Sequence, residues 1–337
     1  MIVERIGGKT SGPPFPVHPN LLRALAAGAG KEAGPVERDG ILAHVLATCA
    51  GYAYADLDTV ATMMSRVGFD AEACVRVSRT VDAMFIYSTA FLLQSRCGRV
   101  VILCYRGTET MNLGNWLGDA GVESALLCAG EGFPPLRVHA GFNLNMRATW
   151  WTVIEELRRA LRGGSLLHPD RPVEHRLEAL YVAGHSLGGA MALLFALAVA
   201  GSAEHQNIAS TLRAVYTYGQ PMAACEPLPR WTDEVARKLV RHVIPRDPVP
   251  ALPPAGWGSY LHIGQEFRLE EEGWRRAELP VTQLASAREI ARSIVGALGP
   301  EKRRRSSRYS AAKHLPQRYL AALRPLGTIT ELGDWQG

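Results

Sequence analysis

The chain has 337 residues, of which 47% are hydrophobic and 20% charged, enough apolar mass for a large core; a fibrous or wholly disordered protein is excluded. Its 37 basic and 32 acidic side chains leave a net charge of +5, too mild and too dispersed for the clustered basic surface of a nucleic-acid binder. No stretch approaches the ~18 consecutive apolar residues of a membrane span.

In chain order, residues 7–20 and 27–40 are rich in Gly, Pro and charge around a short helix-prone patch at 21–26, which predicts a flexible N-terminal arm over residues 1–40. The first residues lack the basic start, apolar run and small-residue cleavage site of a secretion leader. The cytoplasm is therefore the default compartment, with export by another route left open. From 41 to 66 apolar residues recur at helical spacing and predict two covering helices, the second capped by Asp58. Residues 84–94 and 100–104 are β-branched, aromatic and apolar and read as a hairpin turning at 95–99. A helix (143–162), a strand (177–183), a helix (187–200) and strands at 212–218 and 238–244 follow. Ile290, Ile294, Val295 and Leu298 mark one face of another helix, and residues 315–323 form a last one. Strands alternating with helices predict an α/β protein, a mostly parallel central sheet covered by helices on both faces. The expected organisation is one domain over 41–325 with a C-terminal tail at 326–337.

The six cysteines (Cys49, Cys74, Cys97, Cys104, Cys128, Cys225) show neither C-x-x-C nor C-x-H spacing. They read as buried free thiols, and no metal site is expected.

The chemistry is concentrated at residues 184–190, Gly-His-Ser-Leu-Gly-Gly-Ala, where a predicted strand runs straight into a predicted helix. A sharp strand-to-helix turn exposes a serine hydroxyl only if the positions two before and two after it lack side chains. Gly184 and Gly188 meet that demand around Ser186, and the turn aims the Leu187 N–H at a developing oxyanion. His185 adjoins Ser186, but neighbouring side chains in such a turn diverge, so it reads as structural.

A serine nucleophile needs an imidazole base oriented by a carboxylate, arranged in such folds in the order Ser, acid, His. Asp247 follows the predicted strand 238–244 in a proline-stiffened loop that holds a carboxylate in place; the bland alternative is an Asp that starts a Pro turn. Only His262 and His314 come after it. His262 reads as a strand-entry residue, and His314 lies between a polar loop and the last helix; it is the preferred base, with His262 the alternative.

Separated segments are similar, in order, to the class 3 lipase family, fungal-lipase-like proteins of the α/β-hydrolase fold. They are Tyr105-Arg106-Gly107-Thr108 with Asn115 to Asp119, Val138 to Phe142, Gly184 to Ala190, Thr217 to Pro221, and Asp247 to Pro254, with His314 ahead of Tyr319 and Leu320 as a sixth. The resemblance implies Ser186 as nucleophile, Asp247 as acid and His314 as base. It also implies an oxyanion hole from Thr108 and Leu187, and no cofactor. Residues 109–120 correspond to the family's lid, with Met111, Leu113, Trp116 and Leu117 as its apolar face; a fixed packed helix is the alternative.

Lys302, Arg303, Arg304, Arg305 and Arg308 form a basic stretch before His314, read as a solvated loop or as a contact for anionic headgroups. Together these features predict a serine ester hydrolase acting on acylglycerols. The alternatives are a phospholipase A1, a short-chain carboxylesterase or an acyltransferase with the same triad and, from another class, a non-catalytic hydrolase-fold scaffold binding lipid or protein. The expected partners are a lipid or ester substrate and, transiently, a membrane or lipid-droplet surface.

Overall fold

The structure, a computed structural model, describes residues 1–10, 17–27, 38–108, 123–127, 132–284 and 309–325. The predicted lid residues Met111, Leu113, Trp116 and Leu117, Cys128, the helix around Ile290, the basic stretch at 302–308 and the tail from 326 lie outside the described residues.

The elements begin with β1 (Ile2–Gly7), α1 (Leu21–Ala27), α2 (Gly40–Tyr52), α3 (Leu57–Val67), β2 (Ala71–Val81), β3 (Ile86–Ser95) and β4 (Val100–Tyr105). They continue with β5 (Ser124–Leu127), β6 (Leu136–His139), α4 (Ala140–Leu161), β7 (Ala179–His185), α5 (Leu187–Ala200), α6 (Gln206–Ala209) and β8 (Leu212–Tyr218). Then come β9 (Ala224–Cys225), α7 (Thr232–Lys238), β10 (Leu239–Val243), β11 (Tyr260–Leu261), β12 (Gln265–Glu270), β13 (Gly273–Arg276) and α8 (Pro316–Leu323).

Among the described residues, nine strands form one sheet in the order β1-β2-β3-β4-β7-β8-β10-β12-β13. The run from β4 to β12 is parallel, whereas β1 to β4 and the β12–β13 pair are antiparallel. The centre thus has the expected parallel connection through helices, and the edges are hairpins. A smaller sheet, β11-β9-β6-β5, packs beside the end where the parallel strands finish.

Strand periodicity divides the core into two layers. Ala73, Val75, Val77, Leu103 and Val182 face α4 and α5, while Cys74, Cys104, Ala183 and Tyr216 face α1, α2, α3 and α8. All fourteen residues of α5 are buried, as an apolar helix without a polar face requires. Asp39 caps α2 through the N–H groups of Ile41 and Leu42. Asp56, not Asp58, caps α3 by accepting from the Thr59 N–H at 2.8 Å; Asp58 sits two residues past the cap and carries charge in the first turn.

The structure departs from the predicted arm over residues 1–40. β1 pairs with β2 from Ile2↔Ser78 to Gly7↔Ala73, and Arg5 donates to both oxygens of buried Glu156 at 2.8 and 2.6 Å. α1 buries Leu21 and Leu25, and the Leu25 carbonyl accepts from the Tyr181 hydroxyl at 3.0 Å. These residues belong to the packed body because their partners lie far along the chain, where local composition carries no trace of them. The first hairpin strand also starts later than predicted: Met84 closes a short turn, Phe85 has φ 52°, and β3 begins at Ile86. Cys49, Cys74 and Cys104 are buried free thiols, while Cys97 and Cys225 are free but partly exposed.

Candidate active site

β7 ends in the tight turn the glycine spacing demands. Ser186 adopts φ 59° and ψ −130°, a conformation that costs a non-glycine residue about 1–3 kcal/mol. Its N–H donates to the Tyr218 carbonyl at 2.9 Å, anchoring the strained turn to β8. A Cβ on Gly184 would come within 2.2 Å of the Gly188 backbone, and one on Gly188 within 2.2 Å of the Tyr105 carbonyl oxygen. Each glycine is therefore a close backbone approach. The serine hydroxyl makes no capping bond to α5 and is left for another partner.

That partner is His314, in a one-turn 3₁₀ segment just before α8. The Ser186 hydroxyl lies 2.7 Å from His314 Nε2, and His314 Nδ1 lies 2.9 Å from Asp247 Oδ2. A carboxylate only accepts, so Nδ1 carries the proton, and Nε2 is left to accept from the serine hydroxyl. Asp247 stands beyond the end of β10, with its second oxygen accepting from the Val249 N–H at 2.9 Å. The acid loop and the histidine segment are tied together by the Ser310 N–H, which donates to the Arg246 carbonyl at 2.8 Å. Ser186, His314 and Asp247 are all buried, so an ester carbonyl reaches the hydroxyl only after something covering it moves.

Three neighbours without a predicted role complete the arrangement. The Tyr319 hydroxyl, one turn into α8, donates to Asp247 Oδ2 at 2.6 Å and accepts from the Ile244 N–H at 3.2 Å. Burial and the Asp247 charge hold that phenol well above its usual range, so it stays a donor. Gly219, at φ 58° just past β8, leaves room for the pair: a Cβ there would lie 2.9 Å from both Asp247 Oδ2 and the His314 ring. Tyr54, in the α2–α3 connection, has its hydroxyl 2.9 Å from His185 Nδ1.

His185 turns away from the serine hydroxyl. Its Nε2 donates to the His314 carbonyl at 2.7 Å, and its ring lies over the His314 ring with centroids 4.6 Å apart. Burial, with His314 beside it, pushes this imidazole well below its usual range, so it is a neutral latch on the His314 backbone. His262 is not brought to the serine. It is half-buried at the entry to β12 with Nε2 2.8 Å from the Pro250 carbonyl oxygen.

β4 leads into Gly107, where a Cβ would lie 3.2 Å from Ser186 Cβ, so the next residue, Thr108, stands beside the Ser186 turn. The Thr108 hydroxyl is buried and, among the described residues, has no hydrogen-bond partner. Leu187 opens α5, where the first N–H groups have no intrahelical acceptor. An unpaired hydroxyl and a helix N-terminus on either side of one serine can receive negative charge.

Residues 102–257 match the family described as lipase (class 3). Over that stretch, just under half of its length, the chain is similar to class 3 lipases. The lipase of Rhizomucor miehei is 26% identical over 229 residues, which cover 67% of this chain and 57% of that protein. Secreted mono- and diacylglycerol lipase 2 of Gibberella zeae is 33% identical over 145 residues, 40% of this chain and 32% of its own. The aligned part thus spans between about a third and just over half of the length of these two relatives. Two solved structures extend over nearly the whole chain. The Rhizomucor miehei lipase propeptide complex superposes with a TM-score of 0.54 at 18% identity, covering 91% of this chain and 93% of that one. The lipase from Rhizopus microsporus var. chinensis gives 0.55 at 20%, with 92% and 94% covered. At such identities the likeness is one of fold, the α/β-hydrolase fold.

Proposed function

We propose that the protein is a serine hydrolase of lipid carboxylic esters, an acylglycerol lipase working through an acyl-enzyme. The observation that carries this reading is the unbroken chain of short contacts from the Ser186 hydroxyl through His314 to Asp247, 2.7 and 2.9 Å long.

In this mechanism His314 Nε2 takes the Ser186 proton as the oxygen attacks the ester carbonyl. Asp247 stabilises the imidazolium that results, and its own charge is spread over the Val249 N–H and the Tyr319 hydroxyl. The oxyanion sits between Leu187 N–H and Thr108, whose lone hydroxyl gains the partner it lacks; removing one such donor typically costs about 10²–10³ in rate. His314 then returns the proton to the departing alcohol, activates water and releases the acid. No step requires a metal or an organic cofactor.

Two relatives named mono- and diacylglycerol lipases support acylglycerols as the substrate class. Residues 109–120 are proposed as a lid over the buried serine. Turnover of p-nitrophenyl esters of increasing chain length, followed by triacylglycerol against phospholipid, tests the assignment. Long acyl chains on glycerol are expected to be preferred, and a preference for phospholipid would favour the phospholipase A1 reading. Equal turnover by wild type and Ser186→Ala would overturn both.

A further inference from the structure

The β2–β3 hairpin carries apolar side chains where a soluble surface would place polar ones. Met84 is 54% exposed, Phe85 43% and Tyr87 41%, three of four consecutive positions at the tip. Beside them on α4, Leu144 is 40% exposed and Trp151, two helical turns further on, 66%. The tip is held in a built conformation. Asn145 accepts from the Tyr87 N–H at 2.9 Å and donates to the Phe85 carbonyl at 3.2 Å, which fixes Phe85 at φ 52° with its ring outward. Ser88 meets Thr149 at 3.1 Å below it.

Strand register puts this patch at the catalytic end of the sheet. Ala90 pairs with Tyr105 at the end of β4, and the Arg106 N–H donates to the Thr89 carbonyl, so β3 is level with the Gly107–Thr108 corner at Thr89. From there the hairpin runs four residues further in the same direction, roughly 13 Å at strand rise. The tip therefore projects past the level of Ser186.

We infer that the hairpin tip and the adjoining face of α4 are an anchor that inserts into a lipid–water interface and seats the candidate active site against it. Three observations choose a lipid surface over a protein partner. A projecting hairpin tip penetrates a fluid without needing a complementary hollow. Met and Phe occupy its apex while the amphipathic Tyr87 and Trp151 flank them, the distribution that an interface between apolar chains and water favours. The exposed charges of these elements, Asp82 in the turn, Arg79 on β2 and Arg147 on α4, are mixed and suit a neutral or zwitterionic surface. The inference rests on the lipid-ester reading for its biological sense, but the anchor binds whether or not the serine is competent.

The test uses full-length Ser186→Ala protein, so that vesicles stay intact, and measures its partition onto phosphatidylcholine vesicles carrying a minority of diacylglycerol. Adding Met84→Ser and Phe85→Asn, the latter chosen because Asn accepts positive φ, should lower the partition coefficient about tenfold or more. Leu144→Ser with Trp151→Ser, on the helix, should also lower it, and provides a second route if the hairpin change disturbs folding, which the thermal midpoint reports. Leu279→Ser, a 76% exposed site after the opposite sheet edge, should leave it unchanged. The anchor is overturned if both patch variants bind as tightly as the parent. It is equally overturned if Leu279→Ser loses as much as they do, or if the patch variants change only sedimentation, which would mark a surface between two copies. Ester turnover by wild type is scored separately, so loss of that activity overturns the hydrolase reading without touching the anchor.

Discussion

Asp247 is a carboxylate held by three donors: one oxygen takes the Val249 N–H, and the other takes both His314 Nδ1–H and the Tyr319 hydroxyl. Tyr319→Phe removes the one donor that a phenyl ring can delete without changing shape. A hydrogen bond to a charged group is worth about 1.5–3 kcal/mol, so kcat should fall roughly tenfold or somewhat more, with KM little changed. A rise in KM at constant kcat would place Tyr319 in substrate binding instead. Gly219→Ala forces a methyl to 2.9 Å from the same pair and should cost about 10² in kcat, because a displacement of an ångström is enough to misalign a proton transfer. Stopped assays on a soluble ester, with circular dichroism to show that the fold persists, measure both. At this scale the sequence pointed to three groups that the fold brings within hydrogen-bonding distance of one another. Ser186 was legible because its flanking glycines are a local steric demand, and Asp247 and His314 because chain order leaves few choices. Tyr319, Gly219 and Tyr54 had no legible role, since each acts only through a neighbour that the fold brings to it from far along the chain.

Elements were readable where their pattern is local. α5 and β8 coincide with their sequence expectation because a run dense in apolar and aromatic residues needs only its own residues to declare burial. β2 alternates charged and apolar residues and escaped notice, and β1 is six residues whose only justification is β2 beside it. That pairing makes a prediction distinguishing an edge strand from an arm. Deleting residues 1–8 strips the β2 edge and leaves buried Glu156 with Arg159 as its remaining cation, so the thermal midpoint should drop by several degrees. An unchanged midpoint would restore the arm. Asp39→Ala, which leaves the first N–H groups of α2 uncapped, should cost about 1 kcal/mol in a urea titration.

Across the whole molecule, buried histidines tie stability to pH. The His44 imidazole is pushed down to about 4, chiefly by burial and then by His18 and Arg324, and His139, stacked on Phe142, is pushed down to about 4 by burial alone. Both are neutral in the folded chain and take up protons more readily once unfolded. Between pH 6.5 and 4 the unfolded state therefore binds more protons, so stability is full above 6.5 and drains away as pH falls towards 4, by up to about 3 kcal/mol for each group. Urea midpoints at pH 7.5 and 4.5 should show the loss, and His139→Gln should make the difference smaller. An acid-insensitive midpoint would mean that neither ring is kept neutral by the fold. The anchoring hairpin and the buried serine also meet at this scale, since both face the end of the sheet where β4 and β7 finish.

The most direct test of the catalytic chemistry is intact-mass analysis after exposure to a p-nitrophenyl alkylphosphonate, which becomes covalently attached only to an activated serine. One adduct per chain should form and map to Ser186, none should form there in Ser186→Ala, and His314→Ala should slow its formation by about 10³ or more. An adduct on another residue, or labelling of Ser186 at an undiminished rate without the His314 imidazole, would contradict the proposed triad.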